Sequence, residues 1–261
     1  ILAAVIGNNI DNLIIEIDNL EIPILDGSSK FFSEKIFETG TLIQKTPKKI
    51  YTIKKEIKYF DPESNTEIIA VPYEKYSLEV KIDYNSRVLG VQKAQLNNIN
   101  AFNSEISNSR TFCFLHELDD LLEKKMIKGG DVNNAIVIVE NEIDKIKLSK
   151  LAKVFGKKDI EINSEGILNN LDLRHKNEPA RHKLLDLIGD LALCGYYING
   201  KIIATKPGHY HNINFTKKLK DIITKEMKTT EPLINFDEKP LYNKDQIKEI
   251  LPHREPFLFI D

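Results

Sequence analysis

Apolar and polar residues along this chain repeat with two periods, near two and near 3.6, and each period predicts its own elements. Alternation or β-rich character predicts strands at Asn12–Ile17, Ile50–Ile57, Thr66–Pro72, Ser77–Ile82 and Tyr196–Thr205. Ala135–Glu140 reads as a buried, continuously apolar strand. Helical spacing predicts Ser28–Thr39, Ala101–Asn108, Leu115–Lys125, Pro179–Cys194 and Asn214–Thr229, with a short helix at Ser149–Phe155. Gly129-Gly130 ends the Leu115 helix, and Ile1–Gly7 reads as the last turns of a helix closed by its glycine. Asp26-Gly27-Ser28 is a turn, following the short extended piece from Glu21. Helices and strands interleave without the long regular crossovers of a parallel sheet, so the expected class is α+β.

Within the Pro179–Cys194 helix, His182, Asp186 and Asp190 stand at i, i+4 and i+8. At 3.6 residues per turn they fall at about 0°, 40° and 80°, while Leu184, Leu187, Ile188 and Leu191 fall between about 140° and 240°. A histidine and a carboxylate one turn apart can share a divalent cation. The same spacing also describes a solvated face carrying a surface pair. Composition favours chemistry: the solvated Lys217–Lys228 face is a lysine-rich mixture, whereas this stripe is His and Asp, with Ala192 and Gly195 nearby.

Charge and composition narrow the classes. The 261 residues are 41% hydrophobic with a net charge of −2, a soluble globular composition with no global electrostatic case for nucleic acid. Cys113 and Cys194 lie far apart in apolar runs and read as buried thiols in a reducing compartment. No apolar run approaches the ~18 residues of a transmembrane span. The chain starts without a cap at Ile1 and ends on the strand-like Phe257–Ile260, so both ends read as cut from a longer protein.

A catalytic zinc takes three protein ligands, so His182 and Asp186 leave one wanting, and His209 or His211 is the candidate. His209 has an alternative role as general acid or oxyanion stabiliser oriented by Asp190, and a third as a turn residue in Lys206-Pro207-Gly208-His209. Thr111 is a candidate donor to an oxyanion or a simple cap. Lys183 and Lys206 are candidate phosphate contacts, though any lysine here is a surface group by default. His116 and His175 read as surface residues.

Several segments in order resemble one family: Asn12, Glu21–Ser28, Ser109-Arg110-Thr111-Phe112, Gly129-Gly130, Arg181-His182-Lys183 through Gly189-Asp190, and Lys206-Pro207-Gly208-His209. Together they look like the UDP-3-O-acyl-N-acetylglucosamine deacetylases of lipid A synthesis, over roughly residues 1–228. The resemblance implies two two-layer α/β sandwich domains with helices packed between outward-facing sheets. Residues 1–47 would end the first domain, with Lys45–Lys49 around Pro47 as the boundary. Residues 48–228 would form the second, with a ββ insert near Pro62–Pro72 and an acyl-chain passage around Gly129–Glu140 and the lysine-rich stretch beyond. His182 and Asp186 are then zinc ligands, and His209, paired with Asp190, is the general acid rather than the third ligand. Thr111 would polarise the amide carbonyl, and Lys183, Lys206 and Phe112 would meet the substrate. The histidine ligand and the glutamate base would lie just before Ile1.

After a polar linker (229–244), residues 245–261, with Leu251-Pro252-His253-Arg254-Glu255-Pro256-Phe257-Leu258, resemble the opening of the 3-hydroxyacyl-acyl carrier protein dehydratases, a hot-dog fold. The pair of resemblances implies a bifunctional cytoplasmic enzyme that also meets acyl carrier protein and oligomerises through the dehydratase portion. Two rival expectations stand beside it: a non-catalytic nucleotide-sugar or acyl-binding module, and a scaffold with an incomplete metal site.

Overall fold

The computed structural model of the chain describes residues 1–117, 134–141, 143–154, 156–164, 166–168, 171–229, 239, 241–252 and 254. In chain order its elements are α1 (Leu2–Gly7), α2 (Lys30–Thr39), β1 (Ile50–Thr52), β2 (Ile57–Asp61), β3 (Thr66–Val71), β4 (Tyr76–Ile82), β5 (Gln92–Leu96), α3 (Phe102–Glu105), β6 (Phe112–Phe114), β7 (Ile136–Ile138), α4 (Lys145–Val154), α5 (Glu178–Ala192), β8 (Tyr197–Thr205), α6 (His209–Thr229) and α7 (Lys244–Ile250). Sheets and helices are mixed, as the α+β expectation has it.

Strict in–out alternation across Tyr197–Thr205 makes β8 the centre of the main sheet. The order is β2-β3-β8-β4-β5, antiparallel except for β8 against β4. The short β1 runs parallel to the start of β8, on the edge that β3 takes over further along. The strands change over at Gly200, where a Cβ would stand 2.5 Å from an Ile53 side-chain carbon. Residues 66–71 therefore pair with β8 as part of the central sheet.

The buried face of this sheet is covered by α5, which lies on β4 and β5. The other side of α5 carries α1. Gly189 permits that contact, since a Cβ there would lie 3.3 Å from the Ala3 backbone nitrogen. Covered on both sides, α5 buries Leu184, Leu187 and Ile188 completely and its polar stripe almost as fully. A smaller parallel pair, β6 and β7, carries a second apolar cluster with Leu151 and Ala152 of α4.

Four expectations change. Asn12–Ile17 forms no strand, because its backbone has no ladder partner among the described residues. Gly7 does not close α1 by left-handed backbone: Asn9 takes that conformation at φ 58°, and Gly7 instead makes room for the Phe102 ring. β5 was not anticipated, its outer positions being Gln and Lys. The helix expected from Asn214 begins at His209. Gly129-Gly130, most of Leu115–Lys125 and most of the linker lie outside the described residues.

Ile1–Ile223 make one compact unit and Thr224–Asp261 a second. In the second, α7 starts with a capping box in which Asn243 and Gln246 each accept from the other's backbone N–H. His253 and residues 255–261 lie outside the described residues.

Candidate functional site

Helical spacing on α5 lines up His182, Asp186 and Asp190, each only 8% exposed. The stripe is thus an interior feature, and not the solvated face the spacing alone allowed. His182 Nδ1 lies 3.0 Å from the Ser109 carbonyl. A carbonyl only accepts, so Nδ1 carries a proton, and Nε2 is the ring nitrogen left to meet a further partner. That nitrogen is 3.4 Å from Asp186 Oδ1.

Burial is the largest influence on Asp186 and pushes its pKa up, but His182, Lys183 and His209 together outweigh it and hold the carboxyl below its ordinary value. Lys183 Nζ donates to Asp186 Oδ2 at 3.0 Å and lies over the Phe112 ring, 5.5 Å from its centroid. Burial lowers the lysine's pKa; Asp186 and Tyr84 more than offset this, and the net shift is upward.

His209 is the first residue of α6, with a side chain 63% exposed. Its Nδ1 donates to Asp190 Oδ2 at 2.9 Å, and this bond is the main reason its pKa is raised, against the opposing effect of burial. Its Nε2 faces Asp186 Oδ1 at 3.8 Å. The Asp190 carboxylate also accepts from Asn212 Nδ2 at 2.9 Å, and Asn212 is fully buried. One turn of α6 therefore supplies both donors that fix Asp190.

His211 turns away from this cluster and meets the Tyr59 hydroxyl at 3.1 Å through Nδ1. Lys206 holds left-handed backbone at φ 53°, pinned by its N–H to the Lys81 carbonyl and by Thr66 Oγ1 to its own carbonyl. Its ammonium pairs with Asp83 at 3.6 Å. Thr111 precedes β6; its N–H donates to Gly27 O and its carbonyl accepts from Ile136. Gly27 at φ 79° makes this approach possible, since a Cβ there would stand 1.9 Å from the Asn134 carbonyl oxygen. His116 stacks on Phe114, and His175 donates through Nε2 to Asn108.

Four contributors went unforeseen. The Ser109 carbonyl has no sequence signature. Glu178, which stands four residues before His182 and continues the stripe, was legible; its carboxylate is fully buried against Arg110. Asn212 lies three residues after His209, a spacing that only the true start of α6 makes meaningful. Tyr84 packs edge-on against Phe112 and Phe114 beside Lys183.

His182 Nε2 and Asp186 Oδ1 converge from consecutive turns, one imidazole nitrogen and one anionic oxygen, which is a donor set suited to zinc. The carbonyl behind His182 fixes the tautomer as metal-ligating histidines require. Among the described residues no cluster of three or more His, Cys, Asp or Glu side chains is placed to hold an ion. Nor is any helix among them long and apolar enough to cross a membrane.

The family model described as UDP-3-O-acyl N-acetylglycosamine deacetylase (LpxC) matches residues 1–150 and 141–221. The chain is 43% identical over 263 residues to the "Bifunctional enzyme LpxC/FabZ" of Porphyromonas gingivalis, with all of this chain and 56% of that protein covered. The protein of the same name in Bacteroides thetaiotaomicron is 40% identical with the same coverage. A UDP-3-O-acyl-N-acetylglucosamine deacetylase of Helicobacter hepaticus is 34% identical over 90% of this chain and 73% of its own. The chain thus spans little more than half the length of the bifunctional relatives it matches.

Proposed function

The chain belongs to the UDP-3-O-acyl N-acetylglycosamine deacetylase family, and from that premise we propose that, within a longer protein, it removes acetate from a UDP-linked, 3-O-acylated N-acetylglucosamine in lipid A synthesis. The observation that carries this reading is the His182 ring, tied at Nδ1 to Ser109 and aimed at Nε2 toward Asp186.

In this proposal His182 Nε2 and Asp186 hold zinc, and a histidine ligand and a glutamate base come from chain ahead of Ile1. What supports that origin is the contact of α1 with α5 at Gly189, beside Asp190 and one turn from Asp186. When bound, zinc supplies Lewis acidity to the amide carbonyl and to water.

The remaining work falls to this chain's own side chains. The Thr111 hydroxyl donates to the carbonyl oxygen as it gains negative charge. Asp190 keeps the His209 ring oriented and protonated, and Asn212 keeps Asp190 in place. As water oxygen bonds to the carbonyl carbon, giving up a proton to the glutamate base, and the C–N bond breaks, His209 Nε2 passes its proton to the departing amine nitrogen. Acetate leaves, and the glucosamine keeps its free amine. Phe112 offers an apolar wall. Lys183 and Lys206 approach substrate hydroxyls or the diphosphate from their pairings with Asp186 and Asp83.

The rest of the proposal concerns the longer protein. Residues 1–47 close a first sandwich domain and 48–228 form the second, their sheets outward and helices between them. In support, the first segment leaves Ile14, Leu20, Phe37, Leu42 and Ile43 at least 85% exposed, apolar surface of the kind a further layer covers. An acyl passage runs beside β7. From about residue 245 a hot-dog domain begins that dehydrates 3-hydroxyacyl chains on acyl carrier protein and joins copies into oligomers. The name of the bifunctional relatives supports this second activity. We place the enzyme in the cytoplasm, where Cys113 and Cys194 stay reduced.

The test is acetate release from UDP-3-O-(3-hydroxyacyl)-N-acetylglucosamine by the full-length protein. Release that stops on chelation and returns with zinc is expected. Release that ignores the chelator, or none from zinc-loaded protein, contradicts the proposal.

A further inference from the structure

Behind the stripe lies a buried charge network that the proposed reaction leaves without a role. Glu178 opens α5 with its carboxylate fully buried. Both oxygens are occupied. Oε1 accepts from Arg110 Nε at 2.8 Å and from the Arg110 backbone N–H at 2.9 Å. Oε2 accepts from Arg110 Nη2 at 3.1 Å and from the Arg174 backbone N–H at 2.7 Å. Arg110 Nη2 also donates to the Asp172 carbonyl at 2.5 Å.

The network has a second pillar. The Arg174 guanidinium donates to the Asn108 carbonyl at 2.7 Å and pairs with Asp26 at 2.8 Å. The residues on either side of Ser109 are thus clamped, Asn108 by Arg174 and Arg110 by Glu178. Ser109 between them donates its N–H to the Ile106 carbonyl at 3.0 Å, and its own carbonyl receives His182 Nδ1. Glu178 and His182 sit one turn apart on the same face of α5. A single rigid helix turn therefore carries both the anchor of the loop and the imidazole that the loop must meet.

A buried ion pair is weak evidence for stability, because desolvation offsets most of the Coulomb gain. Its evident product here is geometric. A bidentate guanidinium–carboxylate fork fixes distance and angle together, which a lone lysine does not. We infer that the Glu178–Arg110 fork is a positioning device for metal binding: it sets the Ser109 carbonyl so that His182 keeps its Nδ1–H tautomer and its aim toward Asp186. Neither residue belongs to the proposed ligand set; each is engaged by the other. The inference rests on the zinc reading given above, and it extends that reading to a pair outside the ligand set. Outer partners of ligating histidines typically govern about 10- to 100-fold in metal affinity.

The experiment is zinc affinity of the full-length protein, by competition with a chromophoric chelator, for wild type, Glu178→Gln, Arg110→Lys and the core truncation Ile68→Ala. Thermal melts of each accompany the titrations. Glu178→Gln and Arg110→Lys are expected to weaken zinc binding about 10- to 100-fold. Ile68→Ala, which lowers the melting temperature from the distant β3, is expected to leave zinc affinity of the folded protein unchanged. Arg110→Lys keeps the charge, so it preserves the comparison should Glu178→Gln fail to fold. Wild-type affinity in a fork variant with a lowered melting temperature would reduce the pair to a structural role and overturn the inference. Weakening by Ile68→Ala equal to that of the fork variants would overturn it too. Absence of zinc binding by wild type would instead overturn the zinc reading, and the inference with it.

Discussion

At residue scale, the site depends on which atom of each ring or carboxylate is already engaged. His182 is suited to a ligand's role because its Nδ1 is taken by a carbonyl, and His209 to an acid's because its Nδ1 is taken by a carboxylate. The spacing 182, 186, 190 was legible in sequence, because helix geometry maps i, i+4, i+8 onto one face. The proposed division of labour between the two histidines was not legible in spacing and was implied only by the family resemblance, since the partners at Ser109 and Asp190 that support it are reached through the fold. The choice between His209 and His211 illustrates this. They are two residues apart, so the helix turns one toward Asp190 and the other toward Tyr59. Asn212 carries the residue-scale prediction. Losing a buried hydrogen bond to a charged group is worth about 1.5–3 kcal/mol, or about ten- to a hundredfold in rate. Asn212→Ala is expected to lower kcat by that factor with KM and zinc content unchanged. Steady-state kinetics at wild-type kcat would show that Asp190 needs no second donor.

At element scale, α5 organises the molecule. It presses apolar side chains on β4 and β5, accepts α1 at Gly189, and holds Glu178, His182, Asp186 and Asp190 on one buried face. Its boundaries were legible to within two residues because it is long and strongly periodic. β5 was missed because its solvent face is Gln and Lys, and Asn12–Ile17 was over-read because alternation marks a strand only where a neighbour can pair with it. The burial of α5 has a consequence for acid stability. Burial is the largest influence on Glu178 and raises its pKa, but hydrogen bonds from Arg110 and Arg174 outweigh it and hold the carboxyl below its ordinary 4.5. A depressed carboxylate contributes stability that is full above its unfolded pKa and is lost as pH falls through its folded one. Asp26 is depressed in the same direction. The melting temperature of wild type should thus drop progressively below about pH 4.5. Glu178→Gln should be less stable at pH 7 and lose less on acidification. An equal acid slope in the two proteins would show that Glu178 is not the group responsible.

At the scale of the whole molecule, the α+β class was legible from interleaved periods, while the topology was not. The central place of β8, paired on one edge first by β1 and then by β3, follows from packing around Gly200 that no local pattern announces. The family, in contrast, was legible from ordered short motifs, and the family match over residues 1–150 and 141–221 agrees with them. The fold collects those dispersed motifs around α5: Asp26-Gly27-Ser28 buttresses Thr111 and Arg174, Ser109-Arg110 backs His182, and Lys206–His209 leads into the helix that meets Asp190. In the proposed reading they serve a zinc ligand pair with a separate acid beside it, and the most direct measurement takes those two jobs apart. In the full-length protein, zinc content and acetate release are to be measured together for His182→Ala and His209→Ala. His182→Ala should lose zinc and activity together, whereas His209→Ala should retain zinc at wild-type level while turnover falls about 10²- to 10⁴-fold. Loss of zinc from His209→Ala, or full zinc in His182→Ala, would contradict that division.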